Sequence, residues 1–285
     1  MKKIGISTDC MCDLPSEYLA ANGVDVMQFY IHTATGRFQN ETEINSDNIL
    51  EYLMAGNRIL RSNVPEPEEC RDYFEEILRH YDQVIHITTS EQIGLSHRNA
   101  KAALALMGEN AKRVYLVNSG SISTGLGHMV LLAVDLRNKG RTVDEIVSAC
   151  YALRSRISSS FIVPNADYLH TMGYASRGVK NICKLLKIHP VLCTRNGRLA
   201  VKTFYRGNYE KAVMRYIRKE FKNSGKISKK QLFITHAGCP SRILSQVKEL
   251  TASLCQFDNV TVTKASAVIS SCCGPETVGV LYVYQ

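Results

Sequence analysis

Apolar positions near the start of the chain run together rather than alternate. Lys3-Ile4-Gly5-Ile6 predicts a buried strand over residues 2–7, and Asp13 with Pro15 marks the entry to a helix through Tyr18 to Ala21. Val84-Ile85-His86-Ile87-Thr88 predicts a strand ahead of a helix over 96–107, and residues 113–117 a strand ahead of a helix over 126–136. Helices near 66–80 and 143–155 complete this half. Continuous apolar strands alternating with helical periodicity indicate a mainly parallel sheet covered on both faces. After Ser158 the rhythm changes to short runs separated by turns: Phe161-Ile162-Val163, Pro190-Val191-Leu192 and residues 199–204, with Arg195-Asn196-Gly197 a hairpin turn. Residues 209–222 form a helix with Tyr209, Val213, Tyr216, Ile217 and Phe221 inward. Leu232-Phe233-Ile234-Thr235 leads to an amphipathic helix carrying Ile243, Leu244, Val247, Leu250 and Leu254, and Val260-Thr261-Val262 and residues 279–284 finish as strands. The expected fold is α/β in two domains. Residues 1–157 carry the mainly parallel sheet flanked by helices, and 158–285 a second α/β domain with a mixed or antiparallel sheet.

Composition fits a globular protein, with 45% apolar and 21% charged residues. No window approaches the roughly 18–20 apolar residues of a spanning helix, and the opening Met1-Lys2-Lys3 has no signal-peptide pattern after it. The ten cysteines are scattered and read as reduced thiols of a cytoplasmic protein. The net charge of +9 hides an asymmetry: residues 1–150 carry 14 Lys and Arg against 20 Asp and Glu, and residues 151–285 carry 21 against 6. A half at +15 beside one at −6 points to an anionic partner or to two solvated faces that differ. With tyrosines among its basic residues, the second half makes nucleic-acid binding the alternative function, although no nucleic-acid module is present.

Catalytic and metal readings are weaker. Cys10-x-Cys12 and Cys272-Cys273 lack the Cys-x-x-Cys spacing of a structural zinc site, so no metal or other cofactor is expected. A hydrolase would take Cys272 or Cys10 as nucleophile and His236, His170 or His86 as base, without any fixed motif. Gly125-Leu126-Gly127 is a fragment of a dinucleotide fingerprint whose third glycine is replaced by Val130, and helix packing explains both glycines better.

An opening strand followed by Thr8-Asp9-Cys10-Met11-Cys12-Asp13-Leu14-Pro15 resembles the DegV family, bacterial proteins that hold a fatty acid. Further stretches follow in the family's order. They are Ser62-Asn63-Val64-Pro65-Glu66-Pro67, Ile87 to Ala100, Asn118-Ser119 through Ser123-Thr124-Gly125-Leu126-Gly127, and Phe161-Ile162-Val163 with Tyr168-Leu169 and Gly173. Ile188-His189-Pro190-Val191-Leu192 with Gly197 and Arg206, and Cys272-Cys273-Gly274-Pro275-Glu276 with Gly279, complete the set. The resemblance implies a non-enzymatic two-domain protein that buries one long acyl chain such as palmitate, with its carboxylate near the domain junction, for presentation to a fatty-acid kinase or for carriage to lipid metabolism. It places Ser62, Gly94, Leu95, Ser96, Arg206 and Cys272 at the ligand. The chain departs from the family where the carboxylate-facing Ser becomes Gly94, the His of the Gly-Pro motif becomes Cys272, and Gly-Gly-Arg becomes Met172-Gly173-Tyr174. A backbone N–H at Gly94 or Leu95 could replace one lost contact, whereas a thiol is a poor substitute for imidazole. Burying the methylenes of a sixteen-carbon chain gains roughly 0.8 kcal/mol each, about 10 kcal/mol gross, so the tail can carry the affinity.

Overall fold

The computed structural model describes residues 2–57, 61–164, 167, 176, 181, 183 and 185–285. The Tyr168-Leu169, Gly173, His170 and Met172-Gly173-Tyr174 positions singled out above lie outside these residues.

Three sheets organise the chain. The first is four-stranded, in the order β2 (Val24–Met27), β1 (Ile4–Asp9), β6 (Gln83–Thr88), β7 (Val114–Asn118), and every pair is parallel. Its central strands β1 and β6 are buried along nearly their whole length, which explains why apolar residues there do not alternate with solvated ones. Val84, Val114 and Met27 pack on α3 (Pro67–Ile77) and α4 (Ser96–Leu106), while Ile6, Ile85, Ile87 and Val117 pack on α5 (Thr124–Asn138) and α6 (Val143–Arg154). α3 begins with Pro67 at its first turn and a capping box between Glu66 and Glu69. The short α1 (Ser16–Ala21) follows Pro15.

The second sheet is six-stranded and mixed. Its order is β10 (Arg198–Arg206), β9 (Ile188–Arg195), β8 (Ile157–Ile162), β13 (Thr277–Tyr284), β11 (Ile227–Ala237), β12 (Asn259–Lys264), antiparallel except for β11 with β12. Asn196 (φ 50°) and Gly197 (φ 78°) both occupy the left-handed region at the β9–β10 turn, the geometry that two-residue hairpins require. The buried sides of α7 (Tyr209–Glu220) and α8 (Ser241–Leu254) cover one face, including Val213, Tyr216, Ile217, Ile243 and Val247. α5 covers the other, where Phe233 and Leu281 join the same core as Ile6 and Ile85. Every strand up to β7 belongs to the first half of the chain and every strand from β8 onward to the second sheet. The change of sheet near Ile157 is therefore not a gap in the core, because α5 serves both sheets.

Gly125 and Gly127 make this close approach possible. A Cβ on Gly125 would meet the Ser159 and Ser121 hydroxyls at 2.1 and 2.3 Å, and one on Gly127 would meet Leu14 at 2.9 Å. Both serve helix packing.

The third sheet was not foreseen from the sequence. β4 (Gly36–Gln39), β3 (Tyr30–Thr33) and β5 (Arg61–Asn63) form a small antiparallel sheet. With α2 (Ser46–Met54) and α9 (Ala267–Cys273) it sits over the strand ends where the two large sheets meet.

Candidate functional site

A cavity of about 600 Å³ lies where these parts converge. Its apolar wall includes Phe29, Ile122, Phe161, Leu192, Leu199 and Ile269, and its polar groups include Ser62, Thr89, Ser96, Ser123 and Cys272. The volume falls within the range that small-molecule sites occupy.

Two buried aspartates of the opening loop fix its rim. Asp9, at the end of β1, accepts the Thr89 backbone N–H at 2.6 Å and the Ser96 hydroxyl at 2.7 Å, tying the β6–α4 loop to β1. His86, a buried core residue, has Nδ1 2.8 Å from the Ser7 hydroxyl, while its Nε2 lies 3.4 Å from the same carboxylate without a hydrogen bond. Asp13 accepts the Ser123 hydroxyl at 2.6 Å and the Ser266 backbone N–H at 2.8 Å, joining the entries of α5 and α9. Burial raises the Asp13 carboxyl to about 7, against the lowering effect of those hydrogen bonds.

Five of the six residues singled out from the sequence border this cavity: Ser62, Gly94, Leu95, Ser96 and Cys272. Ser62 comes from β5, the Gly94-Leu95-Ser96 turn enters α4, and Cys272 sits in the last turn of α9. The elements bring together positions that the sequence holds far apart. Details differ from expectation. The Ser96 hydroxyl is spent on Asp9, and the Gly94 N–H donates to the Ser90 carbonyl at 3.2 Å. The first-turn amides of α4 remain outside the helix's own ladder and carry its positive dipole end toward the rim.

Arg206 is corrected outright. It lies at the far end of β10 from Leu199, which does border the cavity; seven strand residues span about 23 Å. Arg206 instead lines a surface groove with Lys211, Arg215 and Arg218, and its Nε donates to the Leu186 carbonyl at 3.2 Å. Its charge therefore does not act on Cys272. Burial raises that thiol, and hydrogen bonds with Ser271 and Ser62 only soften the effect. Cys273 beside it is pushed up to about 12. Burial thus favours the neutral form of both thiols, the less nucleophilic one.

The Cys10 loop and the Cys273 end of α9 do meet in one apolar cluster. Among the described residues no group of three or more His, Cys, Asp and Glu side chains is placed to hold a metal ion. His236 borders the cavity with Nδ1 accepting the Cys239 N–H at 3.3 Å, and burial with the nearby Lys264 lowers its pKa. Sequence reasoning overlooked Thr89, Ser123 and Thr277. The signal was present in Thr88-Thr89-Ser90, a run of hydroxyls at the carboxyl end of a parallel strand.

Comparison with known proteins agrees with this architecture. A DegV domain-containing protein of Caldanaerobacter subterraneus subsp. tengcongensis is 25% identical over 283 residues, 99% of each chain. The fatty-acid-binding DegV family protein structure from Thermus thermophilus superposes with a TM-score of 0.88 at 24% identity, covering 99% of this chain and 100% of that one. The fatty acid kinase (Fak) B3 protein of Streptococcus pneumoniae, solved loaded with linoleic acid, gives 0.82 at 18% identity over 99% and 100% of the two chains. The family model described as "Uncharacterised protein, DegV family" matches residues 3–285, and the chain belongs to the DegV family.

Proposed function

We propose that this protein binds one long-chain fatty acid, holding the acyl chain in the 600 Å³ cavity and the carboxylate at the rim formed by Ser62 and the entry to α4. The observation that carries the reading is the cavity's division into an apolar wall and a polar rim beside a helix N-terminus. The wall takes up methylenes, and the rim offers donors to an anion. The protein itself makes and breaks no bonds; it presents the carboxylate to a partner, for which a fatty-acid kinase is the fitting class. The likeness to a fatty acid kinase B3 protein loaded with linoleic acid supports this reading. All ten cysteines are unpaired, which fits a reducing, cytoplasmic setting.

Native mass spectrometry of the purified protein, followed by organic extraction, tests the proposal. One fatty acid per chain is expected, and delipidated protein should take up one equivalent of palmitate. Failure to retain or rebind any long-chain acid would refute it.

A further inference from the structure

His189, on β9, is 7% exposed, and both of its ring nitrogens meet backbone carbonyl oxygens. Nδ1 lies 2.5 Å from the Pro164 oxygen and Nε2 lies 2.7 Å from the Gly207 oxygen. A carbonyl only accepts, so each nitrogen must bring a proton, and only the imidazolium carries both. In neutral imidazole one nitrogen would turn its lone pair on a carbonyl oxygen, leaving two buried acceptors in contact. The two carbonyls belong to separate elements. Pro164 follows the end of β8, and Gly207 precedes Asn208, the cap of α7. Phe161 and Val163 at the β8 end wall the cavity together with Leu192 of β9. The pairing of β8 with β9 stops at Ile162. Three contacts hold the chain there. The Val163 N–H donates to the Pro190 carbonyl at 3.0 Å, the Tyr209 hydroxyl donates to the Ile162 carbonyl at 3.2 Å, and His189 grips Pro164.

We infer that His189 is a positioning residue for the ligand, a doubly donating imidazolium that ties the β8 end to the entry of α7 and so keeps the Val163 wall of the cavity in place. This rests on the fatty-acid reading above. The groups around the ring set its pH response. Tyr209 of α7 packs edge-on at 5.1 Å, and burial raises its hydroxyl well above the ordinary tyrosine range. Tyr205, the cross-strand neighbour on β10, carries the Arg215 guanidinium over its ring at 5.6 Å. Cys183 and the exposed Lys187 border the same small groove, and no described residue lining it is a carboxylate. These cations and the positive end of α7 oppose the charge, and the two carbonyls hold it. A hydrogen bond to a charged group is worth more than a screened surface cation costs. The clamp is therefore complete below the midpoint of the imidazolium and lost as pH rises through it, when one carbonyl is released.

The test reads the ring and the ligand together. Protein labelled with ¹⁵N in its histidines and loaded with palmitate should show both His189 nitrogens protonated at pH 6.0 and one of them bare at pH 8.5. The signal missing from His189→Gln assigns the residue. Release of palmitate to phosphatidylcholine vesicles should quicken about tenfold between those pH values in wild type, as expected when a hydrogen bond to a charged group is lost. His189→Lys keeps a cation with donors for both carbonyls and does not titrate in this range, so its release rate should change by less than about threefold. His189→Gln can donate to only one of the two and should release quickly at both pH values. Asp13 titrates in the same range in all three proteins, so the difference between their profiles is the readout. If His189→Lys proves unfolded, His189→Arg takes its place. A neutral His189 at pH 6.0 overturns the inference and leaves fatty-acid binding standing. Parallel release profiles for wild type and the folded lysine or arginine variant do the same. A wild-type protein that binds no palmitate overturns the functional reading itself.

Discussion

The Asp13 carboxylate accepts the Ser123 hydroxyl at 2.6 Å from a position that solvent barely reaches, although the two residues are 110 apart in the chain. Both adopt positive φ, 51° and 58°, so the contact joins two strained loop residues. With the Ser266 N–H on its other oxygen, Asp13 links the opening loop to both later loops that border the cavity.

This carboxyl has a pH signature. Its folded pKa, about 7, lies above the unfolded value, so between roughly pH 4 and 7 the folded state binds the extra proton. Its contribution to stability therefore falls as pH rises through that window, by at most about 1.4 kcal/mol per pH unit. His128 acts in the opposite sense. Burial lowers it to about 4, so folding disfavours its charged form and its contribution rises with pH up to the ordinary histidine range. Removing Asp13 exposes the histidine's slope. Asp13→Asn should show stability rising more steeply between pH 5 and 7 than wild type in urea unfolding. Parallel profiles for the two proteins would show that Asp13 is ionised throughout this range.

Ser62 and Arg206 should behave differently on substitution. Ser62→Ala removes a hydroxyl at the cavity and should weaken fatty-acid binding by about 0.5–1.5 kcal/mol, the usual net worth of a hydrogen bond. Arg206→Ala alters a groove on another face and should leave binding unchanged. Isothermal titration with palmitate compares the two. Equal losses would mean that the arginine reaches the ligand after all.

The parallel sheet was legible because its central strands are buried on both faces, so Val84, Ile85 and Ile87 place apolar side chains on both sides of β6 in a pattern that no helix period matches. The small sheet was not. β5 spans three residues, and β3 and β4 four each, so their identity comes from pairing with distant segments rather than from local pattern. α9 was hidden for a different reason. Its Val268-Ile269 start reads as strand, yet Ser266 caps the helix and Gly274, at φ 76°, terminates it against α2. Ser62 and Cys272 were reachable only through the family resemblance, since the elements that unite them lie on these two illegible pieces. Arg206 misled because sequence order says nothing about which end of β10 meets the cavity.

Gly94 offers a gain-of-function test. A Cβ built there meets no atom within 4 Å, and its backbone is outside the left-handed region. Gly94→Ser should therefore fold normally, with stability unchanged or raised by up to about 1 kcal/mol through a less flexible unfolded chain. Its hydroxyl should tighten palmitate binding by about 0.5–1.5 kcal/mol. A folded variant with wild-type affinity would place the carboxylate away from residue 94.

Cys272 tests the rim beside Ser62. Its thiol is raised by burial and hydrogen-bonded with Ser62 and Ser271, and no cation is among the groups that act on it. Iodoacetamide should therefore alkylate it no faster than an ordinary exposed thiol at pH 7.5, and more slowly still once palmitate fills the cavity. Cys272→Ser keeps a small polar group and should leave affinity within about 0.5 kcal/mol of wild type. Cys272→His adds a true hydrogen-bond donor at the rim, so palmitate binding should tighten or hold, and more so below the imidazole pKa, where the added charge attracts the carboxylate. The pH dependence separates this from a simple filling of space, which would act equally at pH 5.5 and 8. Rapid alkylation, or loss of bound lipid in a folded Cys272→Ser protein, would show that the thiol itself is required and that its replacement of histidine is a functional choice rather than a tolerated one.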